Sequence, residues 1–146
     1  MSAINEWFGY YNALFTHIKE KYGDSELSEY FTYLAKEAYS DITPVYREGG
    51  LEAISERYVT NFKKDGDEGS AKATIEDDIL TIKVRCPAFT HSVKVRHSDK
   101  QVGPFFCECC KMLNYKILAE AGYKLEIIGG LGECTYKIVK DGDSEK

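Results

Sequence analysis

The sequence predicts an α+β fold, in which N-terminal helices are followed by an antiparallel sheet with one inserted helix. Apolar residues recur at helical spacing up to residue 62 and alternate with polar residues from residue 71. Helical spacing then returns between residues 104 and 122. Helices and strands that are segregated in this way are typical of α+β proteins. At 146 residues the chain is long enough for one core, so we expect a single domain over 1–140 and a polar tail over 141–146.

Three helices are predicted in the first half of the chain. The first ends before Gly23, and the second begins with Asp24 or Ser25 as its cap. The pair Gly49-Gly50 allows only a short helical turn before it, so the third long helix is expected to begin at Leu51. The apolar residues at helical spacing are Ile4, Trp7, Phe8, Tyr11, Leu14, Phe15, Ile18, Leu27, Tyr30, Phe31, Leu34, Ala38, Leu51, Ile54, Tyr58 and Phe62.

Strand patterns begin at Ala71, where small and apolar residues alternate with polar ones. The acidic run at 76–78 predicts a turn, and the second strand then ends at Cys86 on its buried face. Residues 92–96 have the pattern of a short further strand. Pro104 suits the first turn of the inserted helix.

A glycine-rich turn is predicted near the end of the chain. Residues 123–128 and 134–139 both alternate as strands, and Gly129-Gly130-Leu131-Gly132 lies between them. These glycines precede a strand rather than a helix, so they do not predict a phosphate-binding loop. We therefore expect a final hairpin.

Charge and composition limit the function. The net charge of −5 argues against nucleic acid as a partner, because phosphate binding requires a basic face. No apolar stretch is long enough to span a membrane, and the N-terminal residues lack the pattern of a signal peptide. We expect a cytoplasmic protein whose partner is a small molecule, and a homodimer is left open. In that reducing compartment, free thiols or metal ligands are favoured over disulfides.

All five cysteines lie in the second half of the chain, at 86, 107, 109, 110 and 134. A disulfide framework would be spread over the whole chain, whereas this cluster is more typical of one site. Each cysteine taken singly is also readily explained as a small buried apolar residue.

The predicted elements bring four of these cysteines together. Cys107 and Cys110 are three residues apart, so they share a face near the start of the inserted helix. A helix N-terminus lowers the pKa of a thiol, which favours a nucleophile or a ligand for a thiophilic metal. Cys86 and Cys134 lie at strand ends that this helix is expected to cover. Cys109 points about 100° away from Cys110, to another side of the helix.

Other side chains complete the candidate site. His91 is a candidate for moving a proton to or from Cys107 or Cys110. Tyr136 lies on the same strand face as Cys134 and is expected to line a ligand pocket. Glu126 is a further candidate ligand-binding residue. Its alternation with Leu125 and Ile127 points it away from Cys134 unless a bulge reverses it. No standard zinc-finger spacing is present.

Three segments taken in order resemble a known family. Arg85-Cys86-Pro87, Phe106-Cys107-Glu108-Cys109-Cys110 and Gly130-Leu131-Gly132-Glu133-Cys134-Thr135-Tyr136-Lys137-Ile138 resemble the L-2-amino-thiazoline-4-carboxylate hydrolase-like family. They also look like the related 4-vinyl reductase-type ligand-binding domains. The resemblance covers roughly residues 80–140 and implies an α+β domain with a small internal pocket.

The resemblance also implies residue roles. Some sensor relatives hold zinc through cysteines and a glutamate near the last hairpin, which makes Cys107, Cys110 and Cys134 candidate ligands for zinc or another thiophilic metal. Those sensors have a further cysteine eight residues before the last one, where this chain has Glu126. Two functions follow as alternatives. One is a hydrolase-like enzyme that opens a small heterocyclic or amide C–N bond, and the other is a non-enzymatic small-molecule-binding or sensor domain.

Overall fold

A computed structural model describes residues 3–87 and 104–142. His91, the strand predicted at 92–96 and the end of the predicted tail, 143–146, lie outside the described residues. No helix within the described part of the chain is long and apolar enough to cross a membrane.

The helices of the first half follow the predicted order. They are α1 (Ala3–Tyr22), α2 (Asp24–Tyr33) and α3 (Ile42–Asp65), and a π-helical turn, Leu34–Ala38, continues α2. The predicted side-chain cap of α2 is wrong. Gly23 is the N-cap residue with φ 92°, and no side chain caps the helix by a hydrogen bond. A positive φ is readily adopted by glycine, so the chain turns there without a capping side chain.

The glycine pair in α3 interrupts the helix as expected. Gly50 has φ 69° and ψ −156°, so Ile42–Gly49 is a short helical segment that precedes the long one. The break changes the direction of the chain between Tyr46 and Tyr58. Their rings nevertheless stack, with centroids 6.5 Å apart, and both are buried in the same apolar core.

The second half forms a four-stranded antiparallel sheet with one inserted helix, which confirms the α+β prediction. The elements are β1 (Ala71–Glu76), β2 (Ile79–Arg85), α4 (Pro104–Glu120), β3 (Tyr123–Gly130) and β4 (Glu133–Lys140). The strand order is β1-β2-β4-β3, so the last hairpin pairs with β2 through β4.

The turn of the last hairpin is shorter than predicted. Gly129 and Gly130 pair with Cys134 and Glu133 and therefore belong to β3. Leu131 and Gly132 alone connect the strands, with φ values of 56° and 120°. Two consecutive residues with positive φ are typical of tight hairpin turns, whose twist matches that of the strands.

Two apolar clusters meet at α4. The main cluster packs the inner face of the sheet against α3 and α4, and includes Leu80, Ile82 and Ile138. The second packs Phe15 and Phe31 of α1 and α2 against the start of α4. Because α4 is covered on both sides, its first turns are held at the ends of β2 and β4. This position determines the candidate site.

Candidate functional site

Four cysteines line one small cavity, which confirms the predicted convergence. Cys86, Cys107, Cys110 and Cys134 surround it together with Tyr136. The remaining wall consists of Val84, Phe106, Lys111 and Gly132. We call this space the thiol cavity. Its volume is about 20 Å³, which is close to the room that one water molecule requires. The catalytic, ligand-binding and metal-binding roles of its residues stay predictions.

Strand pairing positions two of the thiols. Cys134 is opposite Val84 of β2, and both side chains point to the inner face of the sheet. The backbone N–H of Cys86 donates a 2.7 Å hydrogen bond to the Gly132 carbonyl, which extends the β2–β4 ladder by one residue. Cys86 and Cys134 therefore lie on neighbouring strands at the same end of the sheet.

Helix α4 supplies the other two thiols. Cys107 is buried in its first turn, and its Sγ lies 3.3 Å from the point where a Cβ on Gly130 would stand. Cys110 is half-buried one turn later, and its Sγ accepts a 3.5 Å hydrogen bond from Asn114 Nδ2. Cys109 faces the second apolar cluster and is only 1% exposed, so it lies outside the thiol cavity.

The expectation of a lowered thiol pKa is wrong for Cys110. Burial raises its pKa from 9.0 to about 12, and the neighbouring Cys86 raises it further. A hydrogen bond with the Tyr136 side chain acts in the opposite direction but is the weaker effect. Burial also raises the pKa of Cys134. These two groups are neutral thiols near neutral pH, because desolvation is the largest influence on both.

The predicted metal ligands are not arranged as a metal site in the described part of the chain. Within residues 3–87 and 104–142, no group of three or more His, Cys, Asp or Glu side chains is arranged to hold a metal ion. Cys107, Cys110 and Cys134 share the cavity wall, but they do not constitute a coordination set in this conformation. Thiolate ligands would also require deprotonation of Cys110, which its raised pKa opposes.

Glu126 points away from Cys134, as its alternation with Leu125 and Ile127 predicted, and its ligand-binding role stays a prediction. β3 pairs with β4 in continuous register, so no bulge reverses its side chains. Glu126 is exposed opposite Lys137 on the outer face of the sheet. Tyr136, in contrast, lines the thiol cavity as predicted and is 3% exposed.

The rate of thiol alkylation should depend on how deeply each cysteine is buried. We expect Cys110 of the native protein to react with iodoacetamide at pH 8 at least about 10-fold more slowly than in urea. A pKa rise from 9.0 to about 12 reduces the thiolate population roughly a thousandfold. The higher intrinsic nucleophilicity of the thiolate offsets part of this. Mass spectrometry of the peptides measures each rate, and Cys109, with pKa also about 12, serves as internal comparison. Equal rates at Cys110 in native and unfolded protein would contradict the raised pKa.

A larger cleft adjoins the thiol cavity on the other side of Cys110. It has a volume of about 190 Å³ between α3, the π-helical turn and α4. We call it the tyrosine cleft, because Tyr39, Tyr46 and Tyr58 contribute to its wall. Its other lining residues are Ile42, Arg57, Asn61, Phe62, Asp65, Cys110, Leu113, Asn114 and Ile117.

The tyrosines of the cleft are neutral hydrogen-bonding groups. Burial raises the pKa of Tyr46 to about 12, and it raises the pKa values of Tyr39 and Tyr58 as well. The Arg57 guanidinium acts in the opposite direction on all three, because it would stabilise their phenolates. Burial likewise raises the pKa of Asp65.

A chain of hydrogen bonds connects the cleft to the thiol cavity. The Tyr58 hydroxyl donates to Asn114 Oδ1 at 2.6 Å. Asn114 Nδ2 in turn donates to the Cys110 carbonyl at 2.8 Å and to Cys110 Sγ. Cys110 is thus the residue shared by the two spaces, and Asn114 fixes its orientation.

Sequence reasoning did not find the tyrosine cleft, although a signal was present. Arg57, Asn61 and Asp65 recur every four residues, which places three polar side chains along one face of α3. The next residues along the helix, Tyr58 and Phe62, share that spacing. A polar row beside an aromatic row is compatible with a binding face, but it does not reveal which element lies opposite.

The fold and the two adjoining spaces define a small α+β domain with a helix-lined cleft beside a thiol-lined cavity. No family model matches the chain, and neither the search of curated proteins nor the search of solved structures found a match.

Proposed function

We propose that this protein is a non-enzymatic small-molecule-binding domain whose ligand occupies the tyrosine cleft. The observation that carries the proposal is an open cleft with mainly apolar walls and a few converging polar groups, which is typical of ligand sites. Its 190 Å³ is below the roughly 300–1,000 Å³ of sites for drug-sized ligands, so the ligand is small.

The chemistry of the cleft supports binding over catalysis. Cys110 is the sole thiol on its wall within the described residues, and its raised pKa keeps it protonated. The three tyrosines are neutral for the same reason. Neutral thiols and phenols are poor nucleophiles and poor general bases near neutral pH. They can nevertheless form hydrogen bonds and apolar contacts with a bound molecule.

Filling the cleft tests the proposal. Asn61 lines the cleft and is exposed, so Asn61→Trp places an indole in the opening without burying a new group in the core. We expect small aromatic probes such as phenol and benzamide to shift the NMR signals of Tyr46 and Asn114 in the unaltered protein, and at least 10-fold less in this variant.

The control is Thr60→Trp, which changes the neighbouring residue on the other side of α3, outside the cleft. It should bind the probes as the unaltered protein does. The proposal fails if no probe binds the unaltered protein, or if both variants bind equally well.

Hydrolysis of a small C–N bond is the second candidate function, and the surroundings of Cys107 are the observation that favours it. Its Sγ and the Lys111 Nζ lie 3.3 and 3.6 Å from the same point above Gly130. Cys107 also lines an open groove of about 310 Å³ on the far side of the thiol cavity. A thiol beside an ammonium group at the first turn of a helix is a suitable nucleophile for a small C–N bond.

The two candidates are separated by Cys107→Ala. A hydrolase of small cyclic amides would lose all measurable turnover in this variant, whereas Cys109→Ala would retain it. A binding domain shows no turnover in either variant and retains its probe affinity in both.

A further inference from the structure

The Tyr46 hydroxyl points to the chemistry of the ligand. Tyr46 is 2% exposed, lines the tyrosine cleft, and its ring stacks on Tyr58. Within the described residues its hydroxyl has no hydrogen-bond partner, unlike the Tyr58 hydroxyl, which is bonded to Asn114. Buried tyrosine hydroxyls usually have a hydrogen-bond partner, and leaving one unpaired is unfavourable. A ligand atom that accepts a hydrogen bond would satisfy it.

Arg57 supplies a positive charge on the wall of the same cleft. Its guanidinium is exposed on the rim, and it is close enough to Tyr46 and Tyr39 to influence both phenols. No carboxylate of the described residues forms an ion pair with Arg57. A guanidinium presents two parallel donors that match a carboxylate. The unpaired guanidinium and the unpaired hydroxyl therefore favour the same kind of group.

The other end of the cleft carries an acidic side chain instead of a basic one. Asp65 lies eight residues after Arg57 on α3, which is about 12 Å along the helix. Its partly buried carboxyl would repel a second anion. Beside this polar row of α3, the cleft is lined by the apolar side chains of Ile42, Leu113 and Phe62. A ligand that fits all three features has one acidic end and a flat apolar body.

We infer that the tyrosine cleft binds a small aromatic monocarboxylate, with its carboxylate between Arg57 and the Tyr46 hydroxyl. The inference rests on the binding function proposed above and specifies its ligand class. Neutral tyrosine donors and one cation recognise the carboxylate, and Asp65 excludes a second acidic group at the far end.

Benzoate and benzamide form the matched pair of probes, because they share shape and differ in charge. Isothermal titration should give benzoate at least 10-fold tighter binding than benzamide.

Arg57→Gln removes the charge of an exposed side chain and should abolish the preference for benzoate. Tyr46→Phe removes only the hydroxyl and should weaken benzoate about 10-fold or more, as expected for a hydrogen bond to a charged group. Terephthalate, with a second carboxylate, should bind more weakly than benzoate.

The control is Arg47→Gln, which removes an exposed arginine from the first segment of α3, outside the cleft. It should leave the benzoate preference unchanged. Equal binding of benzoate and benzamide, or a preference that survives Arg57→Gln, overturns the inference and leaves the binding function intact. Binding of neither probe, nor of phenol, overturns the binding function itself.

Discussion

Replacement of Ile138 by alanine is expected to lower the free energy of unfolding by about 2–5 kcal/mol. Ile138 is fully buried in the main cluster and lies between Leu80 of β2 and Leu125 of β3. Alanine removes three carbon atoms from a closely packed region that includes side chains from three strands. The loss combines the transfer free energy of those atoms with the cost of the cavity that remains. Urea unfolding followed by circular dichroism measures the effect.

Ile128→Ala on the same hairpin is the matched control. Ile128 is 52% exposed on the outer face of the sheet and pairs with Thr135. Both substitutions remove the same atoms from a strand, so the shared loss of strand propensity cancels in the comparison. We expect Ile128→Ala to change the stability by no more than about 0.5 kcal/mol. Similar losses for the two variants would mean that the faces of the sheet are assigned incorrectly.

Gly129→Ala is expected to destabilise the protein by about 3 kcal/mol or more. Gly129 has φ 100°, where a side chain costs about 1–3 kcal/mol in backbone strain. An added Cβ would also overlap the Glu133 carbonyl oxygen and lie 3.3 Å from Cys134 Cα. Both neighbours are backbone atoms of the paired strand, so they cannot move without opening the hairpin. Faster labelling of Cys134 should accompany the loss of stability.

Gly122→Ala separates strain from steric overlap. Gly122 has φ 87°, but a Cβ there would meet no atom within 4 Å. It should therefore show only the backbone strain, about 1–2 kcal/mol. Denaturant midpoints of the two variants give the comparison. A loss at Gly122 as large as that at Gly129 would show that the close approach of β4 contributes nothing.

Local patterns in the sequence determined the elements of this fold. Helical spacing up to Phe62, strand alternation from Ala71 and the helix that begins at Pro104 all agree with the structure. Alternation also placed Cys134 and Tyr136 on the inner face of β4 and Glu126 on the outer face of β3. Such predictions succeed because the spacing of apolar residues depends on backbone geometry within one element.

The chemistry of the site, in contrast, depends on distances between elements that no local pattern specifies. The sequence indicated that four thiols converge, but only the packing of α4 against two clusters decided that they enclose a space as small as 20 Å³. Burial in that packing, rather than the helix N-terminus, determines the pKa of Cys110. The tyrosine cleft likewise exists only where α3, the π-helical turn and α4 meet. Desolvation and cavity shape are sums over many atoms that are distant in sequence, and the tertiary structure alone brings those atoms together.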